Sequence, residues 1–503
     1  MDYPVSNVPP WKHQIEAWNL SQDKPAFYFA MGMGAGKSKI AVDTCNALKV
    51  KSVIIICPKK VIPVWKNQFD LYSPIEYKIL SLTKGSTVKK AKLVEEHIRK
   101  WTQLEKPFVI VTNYESFWRS PLGPTMKNQR FMISTGILTG NSWDMLIADE
   151  GHHLKGPGGR ASWGMKRLAK KAKYRRFLSG TPMPHSPLDI YAQYRSLAPE
   201  IFGTSYTVFK NRYAVIGGFE NRQVIGFQNL EELQQKFYSI AYHVKTVDVL
   251  DLPETQDITI ECELDPKIMK IYKELEKEFI VQIQTGTDSD GNPVNSVLSV
   301  QNALDKLLRL SQITAGIIPL NDGGVKMVDS AKIDTMIEII KDIPVEEPLV
   351  IFYRFKLEAK ILKEKILDLK RTDGITRIPC EISGRVDEQD LFASGVADVA
   401  IVQLQAGSEG LDILKRGRYC FYSSLSHSLG QAEQSKARIH RPGQDRKCFF
   451  YFFVARGTVD KKIFKALAKK REVVGYVMKR IKHEFAEDQI VDLTEMAREA
   501  AGM

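Results

Sequence analysis

The stretch Gly32-Met33-Gly34-Ala35-Gly36-Lys37-Ser38, continued by KIAVDTCNALK (39–49), decides the fold. Alternate glycines let backbone N–H groups curl around phosphate oxygens. The helix pattern after them adds the partial positive charge of its N-terminus. Lys37 is spaced to reach the β- and γ-phosphates of a nucleotide, and Ser38 to ligate Mg2+. The strict P-loop pattern has a glycine five residues before Gly36, where this chain has Met31. A bare glycine-rich strand-to-helix turn is the competing reading. At the far end, QSKARIHRPGQ (434–444) reads as an arginine-finger strip. Phosphates on one lobe and arginines on another would make nucleotide turnover a mechanical cycle.

Working outward, short apolar runs alternate with amphipathic stretches. SVIIIC (52–57), FVIVT (108–112), DMLIAD (144–149) and RRFLSG (175–180) are strand candidates, and SWGMKRLAKKAK (162–173) is a helix candidate. Such alternation predicts a parallel sheet with helices on both faces, an α/β lobe over residues 1–200. Residues 201–325 are richer in helical spacing, as in NLEELQQKFYSIAYHV (229–244), and read as a largely helical insertion. Alternation returns with LVIFY (349–353), DVAIVQLQ (398–405), RYCFYSS (418–424) and CFFYFFV (448–454), predicting a second α/β lobe over 326–460. The remainder, 461–503, reads as basic helices.

Asp149 and Glu150 end an apolar run, as expected for carboxylates at the C-terminal end of a strand. One carboxylate can hold Mg2+, and the other can orient or deprotonate an attacking water. We assign Asp149 to the metal and Glu150 to the water.

These segments, in this order, resemble superfamily-2 helicases of the Snf2-like branch. The resemblance covers most of the chain. Gln14 in WKHQ looks like an adenine-reading glutamine, MGMGAGKS like the branch's MGLGKT-like loop, and CPKKVIPVWKNQF (57–69) like its segment after the first crossover. VTNYE (111–115) resembles TTYE, DEGHH (149–153) resembles DEGH, and LSGTP (178–182) resembles LTGTP. IFYRF (351–355) resembles IFSQF, LQAGSEGLDI (404–413) the AGGxGL block, and ARIHRPGQ (437–444) RxHRIGQ. The resemblance implies two RecA-like lobes, with ATP and Mg2+ as cofactors. It assigns nucleotide binding to Gln14, Gly32, Gly34, Ala35, Gly36, Lys37, Ser38, Gly410, Asp412 and Gln434, and makes Arg438 and Arg441 the finger arginines. A planar guanidinium fork suits a γ-phosphate whose charge is stabilised in the transition state. His152, Ser179 and Thr181 match positions that couple nucleotide state to the nucleic-acid track. The departures are Pro442 for isoleucine, Ser408 and Glu409 within the glycine block, and His185 for asparagine. None removes a charge the chemistry requires.

In such motors the track is gripped mainly by its phosphates. The matched segments offer Lys59, Lys60, Thr112, Asn113, Arg354 and Gln405 as contacts. Trp65 reads as packing its helix against the sheet rather than stacking on a base. The net charge of +13 over 503 residues favours a polyanionic partner, and the length exceeds one core. The six cysteines include no CxxC pair, and no secretory signal or bilayer-spanning apolar run is read, so a reducing, cytoplasmic setting in a bacterial cell or phage-infected host is expected. DNA as the partner rests on the branch resemblance alone. The expected activity is a DNA-dependent ATPase that translocates on duplex DNA and unwinds, remodels or branch-migrates forked and junction DNA. Three alternatives stay open: an RNA helicase of the same superfamily, the motor subunit of a restriction or repair complex, and a non-catalytic DNA-binding scaffold.

Overall fold

The computed structural model describes Tyr3 and residues 6–127, 131–217, 223–284, 306–319, 325–327, 331–369, 374–407, 412–426 and 428–478. The chain divides into two compact units, Met1–Asp251 with Lys470–Met503, and Leu252–Lys469.

The first unit is built on seven parallel strands: β1 (Ala26–Met31), β2 (Ser52–Cys57), β3 (Lys78–Ser81), β4 (Phe108–Asn113), β5 (Trp143–Asp149), β6 (Ala172–Leu178) and β7 (Ala241–Val244). Their order across the sheet is β7-β1-β6-β5-β2-β4-β3. Side chains alternate between faces along a strand, so each strand feeds two cores. Phe27, Phe29 and Met31 enter one core with Ile55 and Ile147, while Tyr28 and Ala30 enter the other with Ile54 and Leu146. Covering both faces is what an all-parallel sheet requires. Five helices carry or border the motif segments: α1 (Lys12–Ser21), α2 (Lys37–Ala47), α3 (Ile62–Tyr72), α4 (Arg160–Ala169) and α5 (Ile190–Leu197).

The second unit has six parallel strands: β8 (Thr255–Cys262), β9 (Leu349–Tyr353), β10 (Pro379–Ile382), β11 (Val399–Gln403), β12 (Tyr419–Tyr422) and β13 (Cys448–Ala455). The order is β8-β13-β12-β9-β11-β10. Its helices include α6 (Ala331–Lys341), α7 (Lys356–Leu367), α8 (Leu429–Ile439) and α9 (Val459–Met478). Ile333, Met336 and Ile340 of α6 and Leu362 and Ile366 of α7 pack on Ile351, Ile401, Phe421 and Phe453. The expected pair of parallel α/β sheets is therefore present.

The structure differs from the expected helical insertion over 201–325. That segment contributes an edge strand to each sheet. β7 pairs with β1 in register Tyr28↔Ala241, and β8 pairs with β13 along its whole length, from Thr255↔Cys448 to Cys262↔Ala455. β7 is only four residues, AYHV, attached to a helix pattern, and an edge strand this short carries no periodicity of its own. β8, TQDITIEC, alternates polar and apolar because it lies at an edge. Between α5 and β7 lie the helices Tyr206–Tyr213 and Leu230–Tyr238 and an antiparallel hairpin, Ala214–Gly217 with Gln223–Phe227. The turn-rich TGTDSDGNPVN lies outside the described residues. In the basic tail, Ile463 and Leu467 of α9 are buried, so that helix has an apolar packing face. Lys470–Met478, its end, groups with the first unit, where Gln234 Nε2 donates to Tyr476 O and Tyr238 Oη to Met478 O. Among the described residues no helix is long and apolar enough to cross a membrane.

One buried ion pair ties α6 to the start of α9. Asp460 accepts hydrogen bonds from Lys332 Nζ, Thr314 Oγ1 (2.8 Å) and Ala455 N (3.1 Å). Lys332 is buried, so removing its partner leaves an ammonium uncompensated. Asp460→Ala is expected to destabilise the second unit by about 3–5 kcal/mol in denaturant melts; a shift under about 1 kcal/mol would show that water compensates the lysine.

Candidate functional site

All strands of the first sheet run the same way, so their C-terminal ends share one edge. β1, β6 and β5 are neighbours, and their ends deliver Gly32–Ser38, Ser179–Pro182 and Asp149–Glu150 to that edge. This is where an open parallel sheet binds ligands.

The glycine-rich loop is a preformed cradle. Gly34 and Gly36 have left-handed backbones, φ 77° and 78°, a conformation that glycine adopts without the Cβ penalty. A Cβ on Gly36 would lie 2.1 Å from Gln14 Nε2. α2 starts at Lys37, and Lys37 Nζ donates to Met31 O (3.0 Å) and Gly32 O (3.1 Å). Ala35 is buried and Ser38 is half-buried in the first turn. Gln14 is buried too, and its amide is spent on the backbone: Trp11 N donates to its Oε1 (2.8 Å), and its Nε2 donates to Gly36 O (3.2 Å). His13 Nε2 lies 2.9 Å from Ala35 O. Two side chains of α1 thus brace the cradle.

Sequence reasoning missed a second brace. Thr246, two residues beyond β7, donates from Oγ1 to Met33 O at 2.7 Å, and Gly32 N donates to Val244 O at 2.8 Å. A Cβ on Gly32 would sit 2.3 Å from Thr246 Oγ1. Gly32 is therefore set by a close approach from a segment more than 200 residues away. The local pattern gives no signal for it.

The carboxylate pair sits at the end of β5. Asp149 is 7 % exposed, and burial together with the Glu150 charge pushes its carboxyl up to about 7, against the opposing pull of Lys37 and Trp65. Trp65 Nε1–H donates to Asp149 Oδ2 at 3.2 Å, and Tyr114 Oη donates to Asp149 O at 2.8 Å. Trp65 is 1 % exposed, so the expected packing role holds, but its N–H also reaches the carboxylate. Glu150 takes a left-handed backbone, φ 53°, unusual for a non-glycine residue. Ser179 Oγ donates to Glu150 Oε2 (3.3 Å) and accepts from Thr181 N (3.1 Å); His152 Nδ1 lies 2.9 Å from Ser179 Oγ and 3.2 Å from Glu150 Oε2. His152, Ser179, Thr181 and Glu150 are thus one connected group. A further buried bridge runs from Tyr28 Oη to Gln193 Oε1 (2.6 Å), with Gln193 Nε2 donating to Pro182 O (2.7 Å). His185, at the departure from asparagine, accepts from Lys155 Nζ at 2.6 Å; burial and Lys155 hold its pKa down at about 4, which suits a neutral acceptor.

These residues fit a magnesium–nucleotide complex. Among the described residues no cluster of three or more His, Cys, Asp or Glu side chains stands ready to hold a metal. Mg2+ usually takes one or two protein oxygens and completes its shell with phosphate and water. Ser38 and Asp149 supply that number, and a cation would relieve the crowding of the buried Asp149 carboxylate by Glu150.

The second unit carries the other predicted residues. Arg438 lies in the last turn of α8, and Gln434 is buried on the same helix. Arg441 Nη1 pairs with Asp412. Pro442-Gly443 then makes a turn, with Gln444 N donating to Arg441 O (3.0 Å) and Gly443 at φ 91°. Proline before a left-handed glycine is what a type II turn takes, which accounts for the departure at Pro442. Gln444 Nε2 pins the turn to Lys415 O (2.9 Å). Gly410, Ser408 and Glu409 lie outside the described residues.

The candidate track residues divide by exposure. Lys59 and Lys60 are exposed in the one-turn helix after β2, and Gln405 is exposed after β11. Thr112 and Asn113 are buried, with Thr112 Oγ1 and Asn113 Oδ1 lacking partners, so their side chains are not presented to a surface track. They end β4, where a strand inside the sheet points side chains into the two cores. Arg354 is half-buried, with Nη1 unpartnered.

The chain is similar in sequence to known proteins. A family model described as "SNF2-related domain" matches residues 18–313, more than half of the chain. A SWI/SNF-related matrix-associated actin-dependent regulator of chromatin subfamily A-like protein 1 homolog of Caenorhabditis elegans is 24% identical over 461 residues, covering 88% of this chain and 58% of that protein. A DNA repair and recombination protein RAD54-like of Drosophila persimilis is 23% identical, with the same coverage of 88% and 58%. This chain thus spans 58% of the length of each. The Sulfolobus solfataricus SWI2/SNF2 ATPase core in complex with dsDNA aligns with 94% of this chain and 93% of its own, at 19% identity and a TM-score of 0.41. With its phosphate cradle, carboxylate pair and matching family model, the chain belongs to the SNF2-related domain family.

Proposed function

We propose that this Snf2-family ATPase core hydrolyses ATP in response to DNA and uses the cycle to move along duplex DNA. The observation that carries the reading is the cradle Gly32–Ser38 on the same sheet edge as the buried Asp149 and its neighbour Glu150. Family membership supports it, as do relatives named for chromatin regulation and DNA repair. The charge of +13 favours a polyanionic track.

In this reading the loop amides and Lys37 bind the β- and γ-phosphates, and Ser38 and Asp149 hold Mg2+. When bound, the metal supplies charge neutralisation on the phosphates. Glu150 orients the attacking water and takes its proton, with Ser179 and His152 fixing the carboxylate. Trp65 holds Asp149 by its N–H. Arg438 and Arg441 are assigned the charge that develops on the transferring phosphoryl group. Gln14 supports the cradle through the backbone and reads adenine with whatever hydrogen-bonding capacity remains. DNA is gripped through its phosphates, without base reading, as a translocase requires. Remodelling of forks and junctions belongs to this proposal as its finer part. A cytoplasmic location goes with it, since all six cysteines are free thiols.

The deciding assay is ATP hydrolysis with duplex DNA, single strands and RNA, then ATP-driven action on a fork, a four-way junction and a protein-blocked duplex. Stimulation by RNA alone would transfer the chain to the RNA-helicase reading. Lys37→Ala is expected to lower hydrolysis by about 10²-fold or more while duplex binding persists. Glu150→Gln should bind nucleotide normally and lose about 10²–10⁴-fold in turnover. Near-normal turnover in either variant removes the assigned chemistry. Trp65→Phe keeps an aromatic ring but deletes one hydrogen bond to a charged group, worth about 1.5–3 kcal/mol. The Mg2+ concentration for half-maximal nucleotide binding should rise about tenfold or more; an unchanged Mg2+ titration would leave Trp65 a packing residue only.

A further inference from the structure

Between Glu150 and Asp189 the chain has no acidic residue, yet the interval is rich in Lys and Arg. α4 lies in this interval and sorts them onto one face. Ser162, Met165, Leu168 and Ala169 are buried, whereas Arg160, Trp163 and Arg167, spaced i, i+3 and i+7, line the outer side, and Lys170 comes next at i+10. The loop after β4 sets Trp118 and Arg119 beside this stripe. A Cβ on Gly164 would meet Trp118 Cβ at 2.7 Å, so helix and loop interlock.

Cations flank both tryptophans. The guanidiniums of Arg119 and Arg160 lie 5.3 and 5.6 Å from the Trp118 ring; Lys166 Nζ and the Arg195 guanidinium lie 5.2 and 4.8 Å from that of Trp163. Among the described residues Arg119, Arg160, Lys166, Arg167 and Lys170 make no ion pair, and the Nε groups of Arg167 and Arg195 are buried without hydrogen-bond partners. Burial, then Arg195, Lys170 and Arg167, lowers the Lys166 pKa. The helix dipole accounts for cations at Arg167 and Lys170, near the C-terminus of α4. It does not account for Arg160 in the first turn, where a positive charge is disfavoured, nor for Arg119 on the loop.

Such crowding is relieved by a polyanion. From Arg160 to Lys170 the helix rises about 15 Å, a length over which one DNA strand passes about four phosphates at roughly 3.4 Å per step. We infer that Arg119, Arg160, Arg167 and Lys170, with Trp118 and Trp163 between them, form a second nucleic-acid backbone contact on the first unit, extending the grip beyond Lys59 and Lys60. This rests on the proposed action on DNA.

The test is duplex binding by the full chain, wild type against R160Q/R167Q/K170Q, across a salt series. Losing three phosphate contacts should reduce the slope of log K against log salt by about 2–3. Basal hydrolysis and the melting midpoint should stay unchanged, while the DNA concentration for half-maximal stimulation rises. An unchanged slope and stimulation curve overturn the inference, as does loss of polyglutamate binding with the DNA slope intact, which would assign the face to an acidic protein. Wild-type protein that binds no duplex at all overturns the motor reading and this extension together, a result distinct from normal binding with equal slopes.

Discussion

Two adjacent carboxylates at the end of β5, Asp149 buried and Glu150 half-buried, are the constraint on which the first unit's site depends. Desolvation and the neighbouring Glu150 charge both disfavour the charged form of Asp149, as its raised pKa records. The surroundings answer with donors from separate places: Trp65 of α3 on Asp149, and Ser179 and His152 on Glu150. Each donor comes from a different connection of the sheet. Holding the pair therefore also holds α3, the loop after β6 and the short turn after β5 in fixed relation.

The cradle obeys a similar rule. A glycine-rich loop is entropically expensive to order, and here it is ordered from outside. Gln14 and His13 hold it from α1, and Thr246 from beyond β7. Gln14 spends both its amide groups on the backbone of α1 and the cradle, so the position that the family resemblance assigns to adenine is a structural brace as well. Gly32 and Gly36 are glycine for different reasons. Gly36 combines a left-handed backbone with no room for a Cβ, while Gly32 only makes room for Thr246.

In the second unit the arginine strip is shaped by its turn. Pro442 and Gly443 reverse the chain directly after Arg441, and Gln444 anchors the far side to the backbone at Lys415 and Gly417. A departure from the family's isoleucine is thus compatible with a well-defined turn. Asp412, an exposed carboxylate in the glycine block, pairs with Arg441. With Asp412 exposed, this pair contributes little to stability.

Much was legible from the residues alone. Strands such as Ser52–Cys57 and Leu349–Tyr353 are continuous apolar runs because both faces of a parallel sheet are covered, and their boundaries coincide with the runs. The phosphate loop and the carboxylate pair are local motifs whose chemistry is carried by adjacent residues. What the residues alone did not disclose is everything made by distant approach. β7 and β8 look like parts of a helical segment or an alternating edge, and only pairing to β1 and β13 makes them strands. Thr112 and Asn113 look like track contacts until the sheet buries them. Trp65 and Thr246 sit far in sequence from the groups they hold, and their hydrogen bonds to Asp149 and Met33 exist because the fold brings donor and acceptor together. Local composition determined which groups could do chemistry; the long-range packing of parallel strands decided which neighbours hold them, since a hydrogen bond depends on distance in space and not on separation along the chain.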